Sequence, residues 1–149
     1  MVCAPMTSRR VFAVLAFLRS PAAWAGAGPV QAVETHMSWV FLAGEQALKL
    51  KRPVRHPFLD FSTLAAREHF CREEVRLNAR LAPGVYRGVL ALQWDGRHFA
   101  LAADAPAAGR GNTVEWLVQM RRLPAERMLD RAIADGHVDP AQIDALIAV

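Results

Sequence analysis

The chemistry legible in this chain centres on two lysines and one glutamate. Lys49 and Lys51 are the two lysines among 18 basic residues, the other 16 being arginine. Both fall in Ala47–Arg52, where apolar and charged residues alternate. Successive side chains of a strand point to opposite faces, so Ala47, Lys49 and Lys51 share one face and Leu48 and Leu50 the other. A lysine ammonium is a compact charge that contacts phosphate as a point donor. The alternative is that two lysines in one strand are an accident of composition, or one a snorkelling edge residue. Residues 62–81 read as a helix. At 100° per residue, Leu64, Phe70, Cys71, Val75, Leu77 and Leu81 form its apolar stripe, with Glu74 near the centre and Glu73 at the margin. A carboxylate there is costly unless paired. Glu74 therefore requires a cation, and Lys49 is the natural supplier. Asn78 on the same face leaves a second reading open, a shallow stripe with the carboxylate solvated.

The elements that must position these groups follow from turn and cap signals. Strands are expected over Val30–Glu34, Trp39–Leu42 and Ala47–Arg52, with a turn at Ala43–Gln46 and a stop at Pro53. A loop, Pro53–Phe61, leads to the long helix, which Ser62 or Thr63 caps and Pro83-Gly84 ends. Val85–Trp94 and His98–Ala102 flank Asp95-Gly96, a hairpin signal. Asp104–Asn112 is a small-residue loop and Val114–Met120 a further strand, alternating Val, Trp and Val with Glu, Leu and Gln. Helical patterns follow over Ala125–Ala134 and from Asp139 onward. Strands, one helix, strands and then helices specify an antiparallel α+β fold. About five strands should pack on one long helix, with flanking helices at both ends.

At 149 residues, with 53% hydrophobic and 21% charged residues, the chain has the composition of a single globular domain. Two cysteines, Cys3 and Cys71, are too few for a disulfide framework, and no apolar run approaches the ~20 residues of a membrane-spanning helix. The net charge of +4 invites a nucleic-acid reading. The basic cluster Lys49, Lys51, Arg52, Arg55 is short, however, and Trp24, Trp39, Trp94 and Trp116 are scattered. A phosphate-bearing small ligand fits better, and neither nucleic acid nor membrane is expected as a partner. The five histidines are isolated, so no metal site is expected. Arg9-Arg10, the apolar Val11–Leu18 and Ala23-Trp24-Ala25 resemble an export signal over residues 8–25, even a twin-arginine one. The competing reading is a retained helix, Ser8–Arg19, stopped by Ser20-Pro21. The downstream motifs favour retention and a cytoplasmic protein.

Those motifs carry a family resemblance. Ala47-Leu48-Lys49 resembles the kinase Ala-x-Lys strand, and Glu74-Val75-Arg76-Leu77 the Glu-x-x-Leu of the helix that follows it. Glu34–Leu42, Leu48–Pro53, Phe58–Leu64, His69–Glu74 and Val118–Pro124 together resemble the aminoglycoside-phosphotransferase-like enzymes of bacteria, often fused to a C-terminal P-loop ATP-binding domain. The likeness runs from about Val30 to Ile147. It implies a kinase-like N-terminal lobe that binds ATP. Lys49 would contact the α- and β-phosphates and Glu74 would hold it, with Lys51 the competing lysine. The Glu34–Ser38 turn would cover the phosphates, although it lacks the glycines of the pattern. Thr35 and Ser38 either donate hydroxyls there or only shape the turn. Met120 would back the adenine pocket, and the backbone of Arg121–Leu123 would bond the adenine edge.

The resemblance implies phosphoryl transfer from ATP to a small-molecule hydroxyl in full-length relatives, with Mg and a catalytic aspartate in a helical C-lobe. No catalytic residue is assigned in this chain. His137-Val138-Asp139 lacks the asparagine that should follow, and Asp139-Pro140 reads as an N-cap and first-turn proline. The expected organisation is a helix and linker over 1–29, a nucleotide-binding lobe over 30–123 and the start of a C-lobe over 124–149. Such a truncated lobe would not catalyse transfer alone, and a small acceptor would bind only with a complete C-lobe. The alternative is a non-catalytic nucleotide- or partner-binding module that makes a protein contact through Ile143, Leu146 and Ile147.

Overall fold

The computed structural model describes residues 8–103 and 112–148. Cys3 and most of the loop expected at Asp104–Asn112 lie outside them. Helix α1, Ser8–Arg19, is followed by a 3-10 turn, Pro21–Trp24. Three strands come next: β1 (Gln31–Glu34), β2 (Ser38–Ala43) and β3 (Gln46–Lys51). A small ribbon of β4 (Arg55–His56) and β5 (Leu59–Asp60) leads into α2 (Leu64–Leu81). The strands β6 (Tyr86–Trp94), β7 (Phe99–Ala103) and β8 (Thr113–Arg121) complete the sheet. The chain then forms a 3-10 turn, Ala125–Arg127, and the helices α3 (Leu129–Ala134) and α4 (Pro140–Ile147).

The expected α+β architecture is present, with more strands than anticipated. Six strands pair antiparallel in the order β1-β2-β3-β8-β6-β7, and β4-β5 form a separate pair within the stretch read as a loop. Gly44, at φ +52°, makes the β2–β3 turn possible. At the β6–β7 turn the Asp95 carboxylate accepts from the amides of Arg97 and His98, both at 2.7 Å, and Gly96 takes φ +101°.

Each face of the sheet carries a helix. Behind it, α1 and Trp24 pack on Trp39, Phe41, Leu48 and Leu50. Val14 and Leu18 of α1 are wholly buried there, and the Trp24 indole donates to the Leu18 carbonyl at 2.8 Å. One side of this segment, Val14, Leu15, Leu18 and Trp24, is thus built into the core. In front, α2 places Cys71 against Val89, Ala91, Trp116 and Val118. The Thr63 hydroxyl caps α2 by accepting from the Ala66 amide at 3.1 Å.

Three expectations need correction. The buried stripe of α2 is centred on Cys71, with Leu64, Arg67 and Val75 beside it. Leu77 and Leu81, assigned to the stripe, are exposed. They lie roughly 120° and 80° round the helix from Cys71, beyond the width a single flat sheet covers. Strand β8 does not alternate between core and solvent. Val114, Glu115, Trp116, Leu117 and Val118 are all buried, because β8 runs between β3 and β6 with helices on both faces. The helix expected over Ala125–Ala134 is interrupted at Met128, whose extended backbone (φ −66°, ψ 142°) separates the 3-10 turn from α3. At α4 the cap is as expected. The Asp139 carboxylate accepts from the Gln142 amide at 2.9 Å, and the Asp139 amide donates back to the Gln142 side chain at 3.1 Å.

Candidate functional site

The alternation in β3 places Lys49 and Lys51 on the face that carries α2 and sends Leu48 and Leu50 into the core behind the sheet. Glu74 meets both lysines. Lys49 Nζ donates to Oε1 at 2.9 Å and Lys51 Nζ to Oε2 at 2.6 Å. The two lysines therefore share one carboxylate and are differently placed. Lys51 is 5% exposed, Lys49 30% and Glu74 12%. Lys51 is an internal anchor, and its ammonium also lies 5.0 Å from the centroid of the Phe61 ring. Lys49 retains a path to solvent. The stripe of α2 puts Glu74 roughly 60° from Cys71, at the margin of the buried face rather than its centre.

Burial pushes the Glu74 carboxyl up, but the hydrogen bonds and charges of Lys51 and Lys49 together outweigh it and hold it below its ordinary value. Two ammonium groups share one carboxylate, so the cluster carries a net positive charge. Tyr86 responds to the same group, its phenol raised by burial and by the nearby Glu74 charge.

Next to this cluster is an apolar cleft of about 400 Å³. Val40 and Leu42 of β2, Ala47 of β3, Tyr86 of β6, Met120 of β8 and Leu123 beyond it form much of its wall. Val40 is the cross-strand neighbour of Lys49, and Leu42 that of Ala47. The cleft and the lysines thus occupy one face, a single step apart along β3. Of the residues anticipated for a binding site, Met120, Arg121 and Leu123 line the cleft, and Lys49, Lys51 and Glu74 form the adjoining charged cluster. The Arg121 and Arg122 amides are occupied, donating to the carbonyls of Val85 and Glu45, both at 2.8 Å.

Ser38 stands apart from this group. It is buried on β2 opposite Lys51 and does not line the cleft. The Thr35 hydroxyl shapes the turn, accepting from the Ser38 amide at 3.0 Å and donating to the Ser38 carbonyl at 3.0 Å. Among the described residues, no group of three or more His, Cys, Asp or Glu could hold a metal ion.

The sequence reading missed a second ion pair beneath α2. Arg67 is 3% exposed and Glu115 is fully buried. Arg67 Nε donates to Glu115 Oε2 at 3.0 Å, and Nη2 donates to Oε1. Its Nη1 reaches the carbonyls of Phe61 at 2.8 Å and Ser62 at 3.2 Å. Burial pushes the Glu115 carboxyl up, against the pull of the Arg67 guanidinium. One signal was available. Arg67 precedes Cys71 by four residues and so falls on the buried stripe.

The fold and its charged cluster define an α+β protein with an apolar cleft beside a lysine–glutamate cluster on one face of its sheet. The chain is 34% identical over 116 residues, 78% of its length, to an uncharacterized protein of Mycobacterium bovis and to uncharacterized proteins of two Mycobacterium tuberculosis strains. The matched stretch is 20% of each of them, so the chain spans about a fifth of the length of these curated relatives. No family model and no solved structure matches the chain. No helix among the described residues is long and apolar enough to cross a membrane.

Proposed function

We propose that this chain binds ATP as the N-terminal lobe of an aminoglycoside-phosphotransferase-like kinase. The observation that carries the reading is the shared Lys49–Glu74–Lys51 cluster beside the apolar cleft. The residues fit the nucleotide's two chemistries. The flat apolar base would lie between Ala47, Val40 and Met120. The Leu123 amide, for which no hydrogen bond is found among the described residues, would donate to the base edge. Lys49, the more exposed lysine, would take the phosphates, while Glu74, anchored by Lys51, holds its ammonium. ATP supplies the phosphoryl group in this family. No metal ligand is assigned among the described residues. Transfer to a small-molecule hydroxyl is proposed for the full-length enzyme.

Titration calorimetry with Mg·ATP tests the reading. Wild type should bind, and Lys49→Ala should weaken binding at least tenfold. Equal heats for the two proteins would remove the nucleotide role. We also place the protein in the cytoplasm, where ATP is available. The burial of Val14, Leu18 and Trp24 supports this, since cleavage after Ala25 would strip one face of the sheet. An intact N-terminal segment in the mass of the mature protein is the expected result.

A further inference from the structure

We infer that Arg67 and Glu115 are the positioning pair of the lysine cluster, setting helix α2 and the Phe61 carbonyl so that the surroundings of Lys51 and Lys49 are fixed from two sides. The inference rests on the nucleotide reading for its functional meaning and on geometry for its substance. Arg67 precedes Glu74 by two helical turns on the same side of α2, about 10 Å along the axis. Its fork is bonded through both Nε and Nη2 to Glu115, on the central strand β8. A two-point contact fixes direction as well as distance, as a single ammonium would not. Between the two charged residues, the Cys71 thiol donates to the Trp116 carbonyl at 3.7 Å. Helix α2 is thus tethered to the sheet on three successive turns.

The second side is the segment preceding α2. Arg67 Nη1 holds the Phe61 and Ser62 carbonyls. The Phe61 ring packs edge-on against Phe70 at 5.1 Å and lies beside the Lys51 ammonium. One guanidinium therefore sets both neighbours of Lys51, its anion through α2 and its aromatic face through Phe61. A pair needed only for stability could be replaced by apolar side chains of similar size with little consequence, because burying two charges costs about as much as their attraction returns. A positioning pair could not.

The experiment compares wild type with Arg67→Met/Glu115→Leu, which removes both charges, and with Arg67→Lys, which keeps the charge and loses the fork. Near-ultraviolet circular dichroism verifies folding. The titration of Glu74 is then followed by carboxyl carbon NMR, with Lys49, Lys51 and Tyr86 as its charged and titratable neighbours. Its pKa should rise by about one pH unit in the folded variants as the lysines lose their hold, and the ATP dissociation constant should rise at least tenfold. A folded variant with unchanged Glu74 titration overturns the inference. If wild type binds no ATP, the nucleotide reading fails, while the Glu74 titration still decides the positioning role.

Discussion

Replacing Glu74 by glutamine tests the charged cluster most directly. The substitution keeps the shape of the side chain and removes its charge. Lys49 is 30% exposed and can turn its ammonium toward water, so its share of the loss should be small, about 0–1 kcal/mol. Lys51 is 5% exposed and has no such escape. Removing one partner of a buried pair costs about 3–5 kcal/mol. The Phe61 ring face and the amide oxygen of the new glutamine return part of that, leaving roughly 2–4 kcal/mol of destabilisation at neutral pH. The pH dependence is specific. The folded pKa of Glu74 lies below its ordinary value of 4.5. Its stabilisation is therefore complete above that value and lost as pH falls through the folded pKa. Wild type and variant should differ most from pH 6 to 8 and converge in acid, where wild type has also lost the charge. Urea denaturation from pH 3 to pH 8 measures the difference. A gap below about 0.5 kcal/mol at pH 7, the scale of ordinary surface substitutions, would refute the reasoning. So would a gap of constant size at every pH. Adding Lys51→Met to Glu74→Gln should recover at least about 1 kcal/mol, because the orphaned cation is then gone.

Other outcomes follow from the same geometry. Ala47→Leu should fill the cleft without touching the lysines, weakening ATP binding at least tenfold by calorimetry. Leu18→Ala, at a wholly buried position behind the sheet, should cost about 2–5 kcal/mol in urea denaturation. Cys71 is buried and its thiol is pushed up to about 12, so it should resist thiol reagents at pH 8 until denaturant unfolds the chain. A Cys71 that reacts as quickly as a free thiol in the native protein would place α2 differently from the arrangement described above.

What could be read in the sequence depended on whether a side chain's neighbours lay within its own element. The separation of Lys49 and Lys51 from Leu48 and Leu50 follows from the two-residue period of one strand, and it is present in the structure. The demand of Glu74 for a cation follows from the period of one helix, and it is met. Where the stripe is centred is a different kind of fact. The leucines at 77 and 81 are as apolar as any core residue, but the sheet covers only one narrow side of α2. Which side it covers is decided by Cys71, Trp116 and Val118 packing together across 45 residues of chain. Glu115 shows the same limit from the other direction. In a strand with one wet face, Val-Glu-Trp-Leu-Val would send its glutamate to solvent. The insertion of β8 between β3 and β6, with helices on both faces, leaves it no solvent to reach. Arg67 then becomes necessary, since a fully buried carboxylate without a bidentate cation would oppose folding. Arg67 and Glu115 are each anomalous alone, and each makes sense only through the other. A charged residue on an otherwise buried stripe and another on an otherwise apolar strand should therefore be read together as a candidate pair. By that rule Arg67 and Glu115 are a matched pair in the sequence alone.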